Sequence, residues 1–125
     1  MQLFRFRTLV VTAALAGLAA LALTSSAGAA APTKLVGTVG PGFTITLKKT
    51  ARPVRLLTPG RYSITVADKS NIHNFHLRGP GRVNREITTI GFVGTKTAIV
   101  KLVKGTYTYI CDPHFTTMKG TFKVT

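Results

Sequence analysis

From Leu35 onward, apolar and polar residues alternate in short runs. Leu35 to Val39 is an alternating, β-branched stretch stopped by Gly40-Pro41-Gly42. Gly reaches positive φ and Pro fixes φ, so the triplet predicts a turn. Phe43, Ile45 and Leu47 then alternate with Thr44, Thr46 and Lys48, the pattern of a half-buried strand. Lys49 to Val54 contains Pro53 and reads as an irregular edge, and Pro59-Gly60 is a second turn. Tyr62, Ile64 and Val66 alternate with Ser63 and Thr65. Asp68 to Asn71 reads as a loop and Ile72 to Leu77 as the next strand. Beyond the break at Gly79-Pro80-Gly81, the pattern predicts a short strand around Ile87 to Ile90. Further strands are predicted over Thr97 to Val103, Thr106 to Cys111 and Lys119 to Val124. No helical apolar period runs long enough to compete. Seven or eight short strands between turn signals predict an all-β chain, a small antiparallel sandwich or barrel.

The first residues follow a different pattern. Arg5 and Arg7 precede an apolar run from Leu9 to Leu23, and Ser25, Ser26 and Ala27-Gly28-Ala29 follow it. A basic start, an apolar stretch and small residues at the end make an export signal, with cleavage after Ala29 or Ala31. The run is short for a membrane span of about 20 residues, so removal is favoured over anchoring. The expected division is a signal over residues 1–29 and one domain over residues 30–125. Of the 125 residues, 17 are Lys or Arg and only three are Asp or Glu. Losing the signal removes two arginines and no acid, which leaves a net charge of +12.

Export makes the single cysteine informative. A lone thiol outside the reducing cytoplasm is an intermolecular link, a reactive group or a metal ligand. Cys111 ends a predicted strand on which Tyr107, Tyr109 and Cys111 share the inward face. The sequence Cys111-Asp112-Pro113-His114 leads on to Met118, placing thiol, imidazole and thioether within eight residues. Thiolate, imidazoles and a weak thioether suit copper. A second imidazole is needed, and His73 and His76 both lie upstream. Strand alternation puts His73 on the apolar face with Phe75 and Leu77, and His76 on the polar face with Asn74 and Arg78, so His73 is the expected ligand.

The stretch from Gly105-Thr106-Tyr107 through Cys111, Pro113-His114 and Met118 to the closing Gly120 to Val124 resembles the copper loop of the cupredoxins, the plastocyanin and azurin family. The pair His73-Asn74 is similar to the first-ligand motif of plastocyanins. Two residues separate Cys111 from His114, as in plastocyanins, and three separate His114 from Met118, as in azurins. Ile110 stands where plastocyanins often carry an aromatic residue. The resemblance implies an antiparallel Greek-key β-sandwich, one mononuclear type 1 copper and electron transfer. The implied metal ligands are His73, Cys111, His114 and Met118, with Asn74 tying the two ligand loops together.

Several function classes are excluded by the residue inventory. Three acids cannot build a calcium cage or a paired-carboxylate hydrolase. A nucleophilic Cys111 needs an exposed thiolate and an oriented base, but it lies on a strand and only Asp112 is at hand to orient His114. An enzyme is therefore not expected. The aromatics fall mostly on core-facing positions, which speaks against stacking on nucleic acid. The expected partner is a redox protein with an acidic docking surface, with contact to an anionic membrane or envelope surface as a further use of the charge. The chain is expected to be a monomer in the periplasm, cell envelope or extracellular space. A copper carrier or buffer without redox turnover would use the same ligands.

Overall fold

The computed structural model describes residues 28–125, so the predicted export signal lies outside the described residues apart from its last two positions. Ten strands run in the order β1 (Thr33–Val39), β2 (Ile45–Lys49), β3 (Arg52–Pro53), β4 (Leu56–Leu57), β5 (Gly60–Asp68), β6 (Phe75–Gly79), β7 (Val83–Thr88), β8 (Gly94–Leu102), β9 (Gly105–Ile110) and β10 (Lys119–Val124). They form two five-stranded sheets, β3-β2-β1-β5-β8 and β4-β10-β9-β6-β7. The all-β sandwich expected from alternation is what the chain adopts. The two extra strands are the two-residue β3 and β4, in and just after the segment read as an irregular edge.

Six of the pairings are antiparallel, but β1 runs parallel to β5 and β10 parallel to β4. Alternation reports which face a side chain takes and carries nothing about strand direction, so this feature was invisible in the pattern. Tyr62, Ile64 and Val66 on β5 point inward, as do Tyr107 and Tyr109 on β9. The rings of Tyr107 and Phe122 stack at 5.3 Å, and those of Phe75 and Tyr109 at 5.6 Å. Gly120 lets β10 lie against this layer, because a Cβ there would fall 2.2 Å from the Tyr109 ring. The Tyr107 hydroxyl accepts from the Val103 N–H at 2.9 Å, satisfying its polar end at the rim of the core.

Two boundaries differ from the pattern in ways that matter for the site. Strand β2 begins at Ile45, so Phe43 lies in the β1–β2 loop with 61% of its surface exposed. Strand β6 begins at Phe75, so Ile72, His73 and Asn74 belong to the loop before it. The loops after β1, β5 and β9 gather at one end of the sandwich, here the site end. Among the described residues no helix is long and apolar enough to cross a membrane.

Candidate metal centre

Strand β9 delivers Cys111 one residue past its end, fully buried. The chain then tightens into a 3₁₀ turn over Asp112–His114. Pro113 fits there, because the first turn of a helix leaves its N–H groups unpaired in any case. The His114 N–H donates to the Cys111 carbonyl at 3.1 Å, and the Met118 N–H to the His114 carbonyl at 2.7 Å. The Cys111 N–H closes the loop on the Met118 carbonyl at 3.0 Å. These bonds fold the eight-residue segment back on itself, so that Cys111, His114 and Met118 share one corner. Met118 is fully buried and belongs to the same apolar cluster as Cys111.

The β5–β6 loop brings in His73, also fully buried. Its Nδ1 lies 3.7 Å from Cys111 Sγ and 3.1 Å from His114 Nδ1, and His114 Nδ1 lies 3.5 Å from Cys111 Sγ. The three donor atoms thus form a compact triangle. Typical metal–imidazole bonds of about 2.0–2.1 Å and a metal–thiolate bond of about 2.3 Å would place the corners of a trigonal site about 3.5–3.8 Å apart. The observed triangle is close to that size, slightly pinched between the imidazoles. Two imidazoles and a thiolate with a thioether behind them are a soft, copper-selecting set. Among the described residues, His73 Nε2 is buried without a hydrogen-bond partner, so the ring engages polar atoms only on its Nδ1 side.

Phe43 was expected as an inward strand residue. Instead its ring meets His114 edge-on at 4.9 Å and His73 at 5.5 Å, capping both imidazoles from the loop. Gly40 permits this loop, with φ at +68° and a would-be Cβ only 3.2 Å from the His73 ring. Nothing in the alternation pattern signalled either contact.

A polar network locks the two loops together. The Asp112 N–H donates to Asn74 Oδ1 at 2.7 Å, the tie that the family resemblance implied. Asn74 Nδ2 donates to Asp112 Oδ2 at 2.7 Å and to Glu86 at 2.8 Å. His76 places Nδ1 2.7 Å from Asp112 Oδ2, and Arg78 donates to Asp112 Oδ1 at 2.8 Å. His76 is therefore turned away from the donor triangle, as expected, although the strand that was to separate the two histidines starts only after His73. Among the described residues the Asp112 carboxylate bonds Asn74, His76 and Arg78, so it does not orient His114. Burial raises the Asp112 pKa, but the hydrogen bonds from Asn74 and His76 and the charges of His76 and Arg78 outweigh it, and the carboxyl titrates below its ordinary value. The sequence signal for this network was an acid placed between Cys111 and Pro113 in a chain with three acids in all.

Residues 38–125 match the sequence model of a family described as copper binding proteins, plastocyanin/azurin family. No curated protein sequence matches the chain significantly. Among solved structures, rusticyanin from Thiobacillus ferrooxidans is 20% identical, with a TM-score of 0.54 over 74% of this chain and 76% of that one. Reduced rusticyanin is 21% identical, with a TM-score of 0.54 over 74% of this chain and 78% of that one. Auracyanin A, a blue copper protein from Chloroflexus aurantiacus, is 16% identical, with a TM-score of 0.54 over 76% of this chain and all of that one.

Proposed function

Because the chain belongs to the plastocyanin/azurin family of copper-binding proteins, we propose that it is an exported carrier of single electrons whose copper is held by His73, Cys111, His114 and, weakly, Met118. The observation that carries this reading is the triangle of His73 Nδ1, Cys111 Sγ and His114 Nδ1, with edges of 3.1 to 3.7 Å. Bound there, copper supplies a one-electron couple between its +2 and +1 states. The chain's own contribution is constancy of geometry. Cys111 and His73 are fixed by burial, and the Asn74–Asp112 bond keeps their loops in register. Such a frame limits the rearrangement that each electron must drive.

His114 is half-buried while His73 is not exposed at all, so electrons enter and leave by the His114 ring. Exposed Phe43 and Phe115, in contact with His114 or next to it in the chain, supply an apolar rim on which a redox protein can close. A partner with an acidic surface is drawn in by the net charge of +12, because such attraction acts before contact. The protein works as a monomer outside the cytoplasm, with residues 1–29 as the export signal and residues 30–125 as the copper domain. It is a carrier and not an enzyme: Cys111 is buried, and both imidazole Nδ1 atoms are corners of the triangle, which leaves neither as a base for a substrate.

The test is an absorption titration with Cu²⁺. One equivalent should produce an intense thiolate-to-copper charge-transfer band, absent from Cys111→Ser. Full loading without colour refutes the type 1 assignment. Copper retained through repeated reduction and reoxidation is the result expected of an electron carrier, whereas release to a Cu⁺ acceptor at each reduction identifies a copper carrier.

A further inference from the structure

The cations divide unevenly along the long axis of the sandwich. In the first sheet, Arg61 and Lys101 face each other across β5 and β8 at the end remote from the site. Lys34 lies beside them near the start of β1, and Lys49 and Arg52 pair on the β2–β3 hairpin. In the second sheet, Arg82 and Lys104 occupy the turns before β7 and β9, and Arg55 is joined to Lys123 where β4 meets β10. All nine are exposed. Lys48 lies at mid-height, opposite Val36.

The acids take the opposite half. Asp68 ends β5, Glu86 sits across from His76, and Asp112 is in the site loop. They face five cations there: Lys69, Arg85, Lys96, Lys119 and Arg78, whose guanidinium reaches Asp112 at 2.8 Å. The site half thus carries a net charge of only +2 among the described residues. The far half carries nine positive charges with no acid among the described residues.

We propose that this far end docks on an anionic lipid surface and holds the site end out toward solvent. The cations come from turns and strand ends of both sheets and spread across the whole end, which fits a planar array of charge better than one concave acidic site. Exposed Leu56, 63% accessible beside Lys123, adds an apolar contact at the same place. The exposed turn over residues 50–51 and the turn residues Arg82 and Lys104 lie at this same end, so loops of both sheets share it. Each Lys or Arg near an anionic bilayer raises binding about fivefold, and the contributions accumulate. A lipid-bound molecule in this orientation leaves His114 and Phe43 free for a partner.

The experiment partitions the copper-loaded full chain between buffer and vesicles of phosphatidylcholine, with or without one part in three of phosphatidylglycerol. The ratio of the two partition coefficients isolates the charge effect, because apolar contacts such as that of Leu56 contribute equally to both. Neutralising Arg55, Arg61 and Lys104 together to Gln should lower that ratio about a hundredfold. Neutralising Lys69, Arg85 and Lys119 to Gln changes the net charge equally and should lower it less than about fivefold. Hydrogen exchange on the anionic vesicles should slow in residues 50–56 and 103–105, while residues 40–44 and 111–118 exchange as in solution. Equal losses in the two triple variants overturn the proposal, as do indifference to lipid charge and protection of the site loops instead. Binding to soluble polyglutamate with no response to anionic vesicles also overturns it and assigns the far end to an acidic protein.

Discussion

Replacing Asn74 by Leu tests whether one side chain holds the two site loops together. Asn74 is 1% exposed and makes three hydrogen bonds: its Oδ1 accepts from the Asp112 N–H at 2.7 Å, and its Nδ2 donates to Asp112 Oδ2 at 2.7 Å and to Glu86 at 2.8 Å. Leucine keeps much of the volume and removes all three. A neutral bond contributes about 1 kcal/mol, and one to a carboxylate about 1.5–3 kcal/mol. Glu86 is exposed and the Asp112 side chain is one-third exposed, so water replaces part of what those carboxylates lose. Taking about 1 kcal/mol for the Asp112 N–H, about 1.5 for the Asp112 carboxylate and about 0.5 for Glu86 gives about 3 kcal/mol. For a domain of this size that is a fall in Tm of about 12–24 °C. Urea unfolding of the metal-free protein measures it, with His76→Ala as a control that removes one Asp112 contact and leaves the Asn74 bonds intact. Copper affinity should fall about 10–100-fold in the same variant, since the donors stay but their loops loosen. A loss below about 0.5 kcal/mol would refute the reasoning, because exposed polar substitutions commonly have effects of that size.

Three further predictions follow from the same geometry. His73→Ala should abolish the charge-transfer band, while His76→Ala should leave it nearly unchanged; the opposite pattern in absorption titrations would place the wrong histidine in the site. Met118→Leu should keep the colour and raise the reduction potential measured by voltammetry, because a buried apolar side chain replaces a weak donor to the oxidised state; a fall in potential or complete loss of copper would contradict the axial role. Asp112 has a folded pKa below its ordinary value, so its contribution to stability is complete above the ordinary carboxylate range and is lost as pH falls through the lowered folded value. In Asp112→Asn the acid-side decline of stability, followed by urea unfolding of the metal-free protein, should be shallower over that window, and an unchanged slope would show that the network does not favour the charged carboxylate.

The part of the site readable from the amino-acid order is the part that is local in it. Cys111, His114 and Met118 fall within one loop, and a strand ending in a thiol followed by Pro113 leaves little choice about where they meet. The inward faces of β5 and β9 were equally legible, because side-chain direction in a strand has a period of two and needs no knowledge of the neighbour. Alternation puts His73 in a strand, yet it sits in a loop whose backbone turns at Ser70, the His73 N–H donating to the Ser70 carbonyl at 3.4 Å. Its burial comes from packing against Phe43 and the Cys111 loop, contacts thirty to forty residues away in the chain. Phe43 fitted the alternation and still left the strand, since only the folded loop offers its ring two imidazole edges. The parallel β1–β5 pairing and the gathering of nine cations at one end are likewise properties of strand direction and height in the sheet. Charge count is additive along a chain, but charge position depends on which ends the topology brings together, and that is decided only when the two sheets pack.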